Sequence, residues 1–239
     1  MKKLFSAFLL VAFLFPAAGF CITNYIIGDQ LNVLALSGLV LRETANPKGT
    51  KIGTIVLGET VTVLKDNFRK VPHSVVEFKS FSIRGFWVKV RTTGGLEGYV
   101  FDGYLSRYKA PGTFTVPEGS GLDTLSMIEQ YLAVHTPVSG PRINLPKAPS
   151  RYDHYKQVFK NNAVVEASSG EGGAWYKVSF NKGTSLEEGY LIGRLLWLEG
   201  KNNASIENGI ITVNNETETQ QIIVVNKGGT IILTMNIAD

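Results

Sequence analysis

The run Phe86-Trp87-Val88-Lys89-Val90-Arg91, followed by Gly94-Gly95 and then Gly98-Tyr99-Val100-Phe101, decides the reading of this chain. Apolar and polar residues alternate along the first run, the period of a strand with one buried face. A glycine pair between two such runs is a turn signal, so the chain doubles back into a hairpin. Upstream, Ile52, Ile55, Val56 and Leu57 form one apolar run and Val61, Val63 and Leu64 another, hinged at Gly58-Glu59. Short strands punctuated by glycine predict a small barrel or sandwich between Leu36 and Ser106.

The wider composition suits such a fold. The chain has 239 residues, 44% of them hydrophobic and 18% charged, close to the averages for a globular protein. That excludes a collagen, a coiled coil and a wholly disordered chain, and the length allows one large or two small cores. The formal charge is +4 and includes Lys2 and Lys3 of the leader. No basic stripe with interleaved aromatics is present, so no nucleic-acid partner is expected.

Lys2 and Lys3 precede the apolar stretch Leu4 to Phe15, and Pro16-Ala17-Ala18-Gly19 closes it. This is the pattern of a secretory signal peptide, residues 1–19, with cleavage expected after Gly19. The stretch is shorter than the roughly 20 apolar residues of a transmembrane helix, and no later segment is long enough either. The product is expected in the periplasm or outside the cell. Cys21 is the chain's single cysteine. Lipid attachment there is the alternative to a free thiol, although Phe20 stands where a lipoprotein signal wants a small residue. With one cysteine there is no intramolecular disulfide and no cysteine-based zinc site.

Several motifs follow one another in order. They are Ser37-Gly38-Leu39-Val40-Leu41-Arg42-Glu43, Ile52-Gly53-Thr54-Ile55, Gly58-Glu59-Thr60-Val61-Thr62-Val63-Leu64, Trp87-Val88-Lys89-Val90, Gly98-Tyr99-Val100 and Gly103-Tyr104-Leu105-Ser106. Together they resemble a bacterial SH3 domain, placed at residues 32–108. Val40 stands where the family's opening motif has Asn, and Glu43-Thr44-Ala45 replaces its Ser-Gly-Pro. Lys65 to Arg84 forms a long loop whose Val75, Val76, Phe78 and Phe81 suit an extra hairpin. The resemblance implies a module that binds cell-wall peptides or protein partners through grooves beside its loops.

Residues 109–151 read as a linker with a short helix. Leu122, Leu125, Ile128 and Leu132 share a helical face, and Ser120 with Asp123 is a candidate cap. Prolines 137, 141, 146 and 149 keep the rest of the linker from regular structure. Residues 152–239 read as an α+β domain. Val158-Phe159, Ala163-Val164-Val165 and Trp175 to Phe180 are strands, and Ser185-Leu186-Glu187-Glu188 opens a helix through Trp197. Leu195 and Trp197 are expected in the core, and Gly189 and Gly193 should let another element approach closely. Runs at 209–213, 221–225 and 230–235 suggest an antiparallel meander, with turns at Asn214-Asn215 and Gly228-Gly229. The expected architecture is mainly β: an SH3-like barrel, then one buried helix on an antiparallel sheet. Trp175-Tyr176-Lys177-Val178 and Glu188-Gly189-Tyr190-Leu191 echo the first domain's motifs, so a degenerate second SH3 copy is a minor alternative.

No catalytic constellation emerges. His73, His135 and His154 have no ligand-like spacing, and no metal or cofactor is expected. Gly170-Glu171-Gly172-Gly173 lacks the Lys-Ser/Thr of a phosphate loop, and no nucleophile elbow is present. Candidate ligand-binding residues are Tyr99, Phe101, Asp102 and Tyr104 at the close of the barrel, with Arg42. Phe101, Asp102 and Tyr104 are expected at the surface and Trp87 in the core, while Tyr99 suits either place. The function expected is an exported, non-enzymatic binding or scaffold protein, its partner peptidoglycan or an envelope protein. The alternative is a cell-wall hydrolase, or its regulatory subunit, targeted by the SH3-like module.

Overall fold

The computed structural model describes residues 25–66, 71–78, 81–112, 126–180, 183–197 and 202–238. The leader, Cys21 and the Ser120–Asp123 cap lie outside the described residues. The first domain is a seven-stranded antiparallel sheet. It contains β1 (Gln30–Val33), β2 (Leu39–Arg42), β3 (Lys51–Ile55), β4 (Thr60–Asp66), β7 (Trp87–Thr92), β8 (Glu97–Phe101) and β9 (Leu105–Ser106). The order across the sheet is β3-β2-β8-β7-β4-β1-β9. Alternation does the work: Leu39 and Leu41, Val61 and Val63, Val88 and Val90 all point into one core with Leu31, Val33 and Leu105. Gly98 is required because a Cβ there would lie 2.7 Å from the Arg42 carbonyl oxygen of the neighbouring strand.

The long loop after β4 holds a separate hairpin, β5 (His73–Phe78) and β6 (Phe81–Gly85). Phe81 and Ile83 are buried, but not in the barrel. They join the core of the second domain, where Phe81 meets the ring of Tyr190 edge-on at 4.9 Å. The hairpin therefore belongs to the first domain's chain but packs into the second domain's core.

The second domain is built on an eight-stranded antiparallel sheet: β10 (Ile143–Asn144), β11 (Arg151–Val158), β12 (Val164–Gly170), β13 (Gly173–Ser179), β14 (Asn202–Glu207), β15 (Ile210–Asn215), β16 (Gln220–Lys227) and β17 (Thr230–Ile237). The order is β10-β11-β12-β13-β17-β16-β15-β14. One helix, α2 (Leu186–Trp197), lies on β16 and β17. Gly189 and Gly193 make this possible: a Cβ at either would come within 2.8 Å of Ile231 or 2.7 Å of Leu233. The close approach expected of these glycines is thus to a sheet. The helix buries Tyr190, Leu191 and Ile192, whereas Leu195 and Trp197 are only half-buried. Those two were expected in the core. They sit in the last turns of α2, at the rim of the second core, where Trp197 meets the Tyr176 ring of β13 edge-on at 5.6 Å.

The joining segment is part of the packing. The helix α1 (Met127–Ala133) starts with a capping box of Ser126 and Glu129, and its Ile128, Tyr131 and Leu132 enter the second core with Tyr108 and Ala110. Glu129 is fully buried, accepting two hydrogen bonds from Arg142, at 3.1 and 2.6 Å, and two from Ser126. Burial favours the neutral acid, but the hydrogen bonds from Arg142 and Ser126 outweigh it and hold Glu129 below the usual carboxylate range.

Two further expectations are corrected. Trp175 to Val178 lies within β13, inside the eight-stranded sheet, and Glu188 to Leu191 is helical, so the echo of the first domain is not a second SH3 copy. β15 continues through Asn215, and its turn to β16 comes at residues 216–219. β14 (Asn202–Glu207) is an additional edge strand beyond the three-run meander, and its Asn202-Asn203 start carries no strand signal in the sequence.

Candidate binding cleft between the barrel and helix α2

A cleft of about 600 Å³ opens where the barrel, the β5–β6 hairpin and α2 meet. One wall is the segment Leu34 to Arg42 around the start of β2. The opposite wall is Leu191, Arg194 and Leu195 of α2, and Trp87, His73, Phe101 and Tyr104 lie between them. A second concavity of about 430 Å³ adjoins it, sharing Pro47, His73 and Trp87 and reaching Val71 and Pro72. The result is an elongated, mainly apolar groove with a few polar groups, the usual make-up of a ligand site.

Trp87 is half-buried and its ring lies 5.9 Å from that of His73. This corrects the expectation of a core tryptophan. Val88 and Val90 occupy the barrel-facing positions of β7, so Trp87 takes the outer face with Lys89 and Arg91. Phe101 and Asp102, expected at the surface, are buried at 4% and 0% exposure. Phe101 still forms part of the cleft wall, its ring edge-on to His73 at 5.6 Å and to Tyr104 at 5.8 Å.

Asp102 sits behind the cleft in a 3-10 turn (Asp102–Tyr104). Its carboxylate accepts hydrogen bonds from the Tyr25 hydroxyl at 2.6 Å and the Phe86 amide at 2.6 Å. Gly85 has no room for a side chain, since a Cβ would lie 2.3 Å from Asp102 Oδ1. Burial pushes the Asp102 carboxyl up to about 7 despite those two bonds. Asp102 fixes the end of β8 and the start of β7, and is not available to a ligand.

Tyr104 is half-buried, and its hydroxyl donates to Glu77 of β5. Glu77 also accepts from Arg194 at 2.8 Å and from the Tyr190 hydroxyl at 3.4 Å. This cluster joins barrel, hairpin and helix at the cleft floor. Arg42 lines the opposite side and donates to the Gly49 carbonyl at 2.7 Å. Tyr99 pairs with Arg42 across the β2–β8 ladder and does not line the cleft. Of the five residues picked from sequence, Arg42, Phe101 and Tyr104 come together in the cleft. Tyr99 and Asp102 do not.

Sequence reasoning missed the other half of the site. His73, Val75 and Glu77 come from the hairpin, and Leu191, Arg194 and Leu195 from α2. The apolar run in the long loop signalled the hairpin, but nothing local placed α2 beside Trp87. A second contact near this junction is also invisible in sequence. Glu188 of α2 accepts a hydrogen bond from the Ser106 hydroxyl of β9, and burial pushes its carboxyl up to about 7. The remaining histidines lie elsewhere. His135 Nε2 accepts from the Lys109 amide at 3.2 Å, and burial lowers it to about 4, so it is neutral. His154 lies beside Glu166 at 3.3 Å.

Among the described residues, no helix is long and apolar enough to cross a membrane. The chain matches no curated protein and no solved structure. The model of one family, described as the bacterial SH3 domain, matches residues 37–106. That span holds β2 to β9, the hairpin and most of the cleft-lining residues. Residues 37–106 are therefore a bacterial SH3 domain, packed in this protein against an α+β domain.

Proposed function

We propose that this is an exported, non-enzymatic binding or scaffold protein of the bacterial cell envelope, whose SH3 domain recognises a peptide, cell-wall or protein partner. The observation that carries the reading is the groove running over Trp87, an aromatic left half-open in a wall that is otherwise apolar. A large ring with one face packed and the other open offers contact area at little entropic cost. The leader at residues 1–19 supports export.

The test is capture. The chain from residue 20 is incubated with purified cell wall and, separately, crosslinked in envelope extract. The reading predicts retention by one of the two, reduced at least tenfold in Trp87→Ala. Retention unchanged in that variant refutes the cleft as the site. A zymogram on cell wall checks the competing hydrolase reading, and a cleared band would overturn the non-enzymatic assignment.

A further inference from the structure

The charges in the cleft do not balance. Its lining carries two guanidinium groups, Arg42 and Arg194, and one carboxylate, Glu77. Glu77 is already engaged by Arg194 at 2.8 Å, by Tyr190 and by Tyr104. Arg42 is different. Among the described residues its guanidinium donates to the Gly49 carbonyl, and no carboxylate lies within ion-pair distance. A guanidinium has five N–H donors, and its fork matches a carboxylate with two parallel bonds. Arg42 is half-buried and lines the cleft together with Val40, Pro47 and Trp87, a largely apolar setting where water competes less than on an open surface.

The groove is also elongated. The two concavities share Pro47, His73 and Trp87, and each has an exposed apolar residue of its own in its lining, Leu36 at 62% in one and Val71 at 74% in the other. An extended chain with alternating side chains fits such a path better than a compact ligand does.

We infer that the groove takes an extended peptide segment of a protein partner, with a carboxylate side chain on Arg42 and an apolar side chain over Trp87. This rests on the reading of the cleft as the binding site of the SH3 domain. It adds the sign of charge that the partner must carry, and it makes Arg42 the residue that selects it.

An array of synthetic eight-residue peptides tests this, each with one glutamate, glutamine or lysine among apolar residues. It is probed with the chain from residue 20. Glutamate peptides should be retained at least tenfold better than their glutamine counterparts. Arg42→Gln should erase that preference, and Arg42→Glu should turn it towards lysine. Thermal melts identify a variant that fails to fold, and Arg42→Gln decides if Arg42→Glu does. Equal retention of all three classes, released by Trp87→Ala, would refute the carboxylate and leave the cleft standing. Retention that Trp87→Ala does not change would refute the cleft as well. Capture by cell wall with no peptide retained would also overturn the inference.

Discussion

Replacing Glu188 with Gln should flatten the pH dependence of stability. Glu188 is buried at the junction of the two domains, 4% exposed, with the Ser106 hydroxyl as donor. Burial keeps it protonated up to about 7 in the folded state, against 4.5 for an ordinary glutamate. Between those values the folded state binds the extra proton. The contribution of Glu188 to the free energy of unfolding is therefore greatest below about 4.5, falls as pH rises, and is lost above about 7; His135, held neutral down to about 4, acts in the opposite sense over part of that range. The full change from Glu188 is about 3 kcal/mol, at about 1.4 kcal/mol per pH unit. Asp102 acts in the same sense, from 3.8 to about 7. Glu129 acts in the opposite sense: its depressed carboxyl contributes stability above the ordinary carboxylate range, and loses it as the pH falls further. Urea unfolding from pH 4.5 to 8 measures the slope. Glu188→Gln keeps an acceptor for Ser106 and removes the proton, so it should lose the Glu188 share of the slope. An unchanged slope between pH 5 and 7 would refute the burial argument.

Two more outcomes rest on the packing. Gly193→Leu should destabilise by about 1–3 kcal/mol or more in chemical denaturation, because a Cβ there meets Leu233 at 2.7 Å; an unchanged midpoint would mean that α2 does not rest on β17. Phe101→Ala should cost about 3–5 kcal/mol, as buried aromatic truncations do, and the half-buried Trp197→Ala clearly less; the reverse ranking in thermal melts would contradict the placement of both.

The barrel was legible because each strand carries its own signal. Val88 and Val90 alternate, the glycine pair turns the chain, and the motif order then matches a known domain. The second domain's sheet was legible for the same reason wherever β-branched runs were long, and unreadable at β14, whose Asn202-Asn203 start carries no strand signal. Burial of polar groups was not legible. Asp102 is paired with Tyr25, 77 residues away, and a carboxylate in a short turn reads as surface until that partner is known. The cleft was half legible. Arg42, Phe101 and Tyr104 belong to the barrel's own motifs, but Leu191, Arg194 and Leu195 reach it only because two glycines seat α2 on the sheet. Trp87 was misplaced for a related reason. Its size argued for the core, while its register with Lys89 and Arg91 argued for the outer face, and register prevailed.

The central claim is that the groove over Trp87 is where this protein meets its partner. The direct measurement compares the wild-type chain and Trp87→Ala, both from residue 20, for capture by cell wall and envelope partners, with a thermal melt of each. The account predicts capture reduced at least tenfold while the variant still unfolds in one cooperative transition. Undiminished capture by a folded Trp87→Ala protein would contradict it.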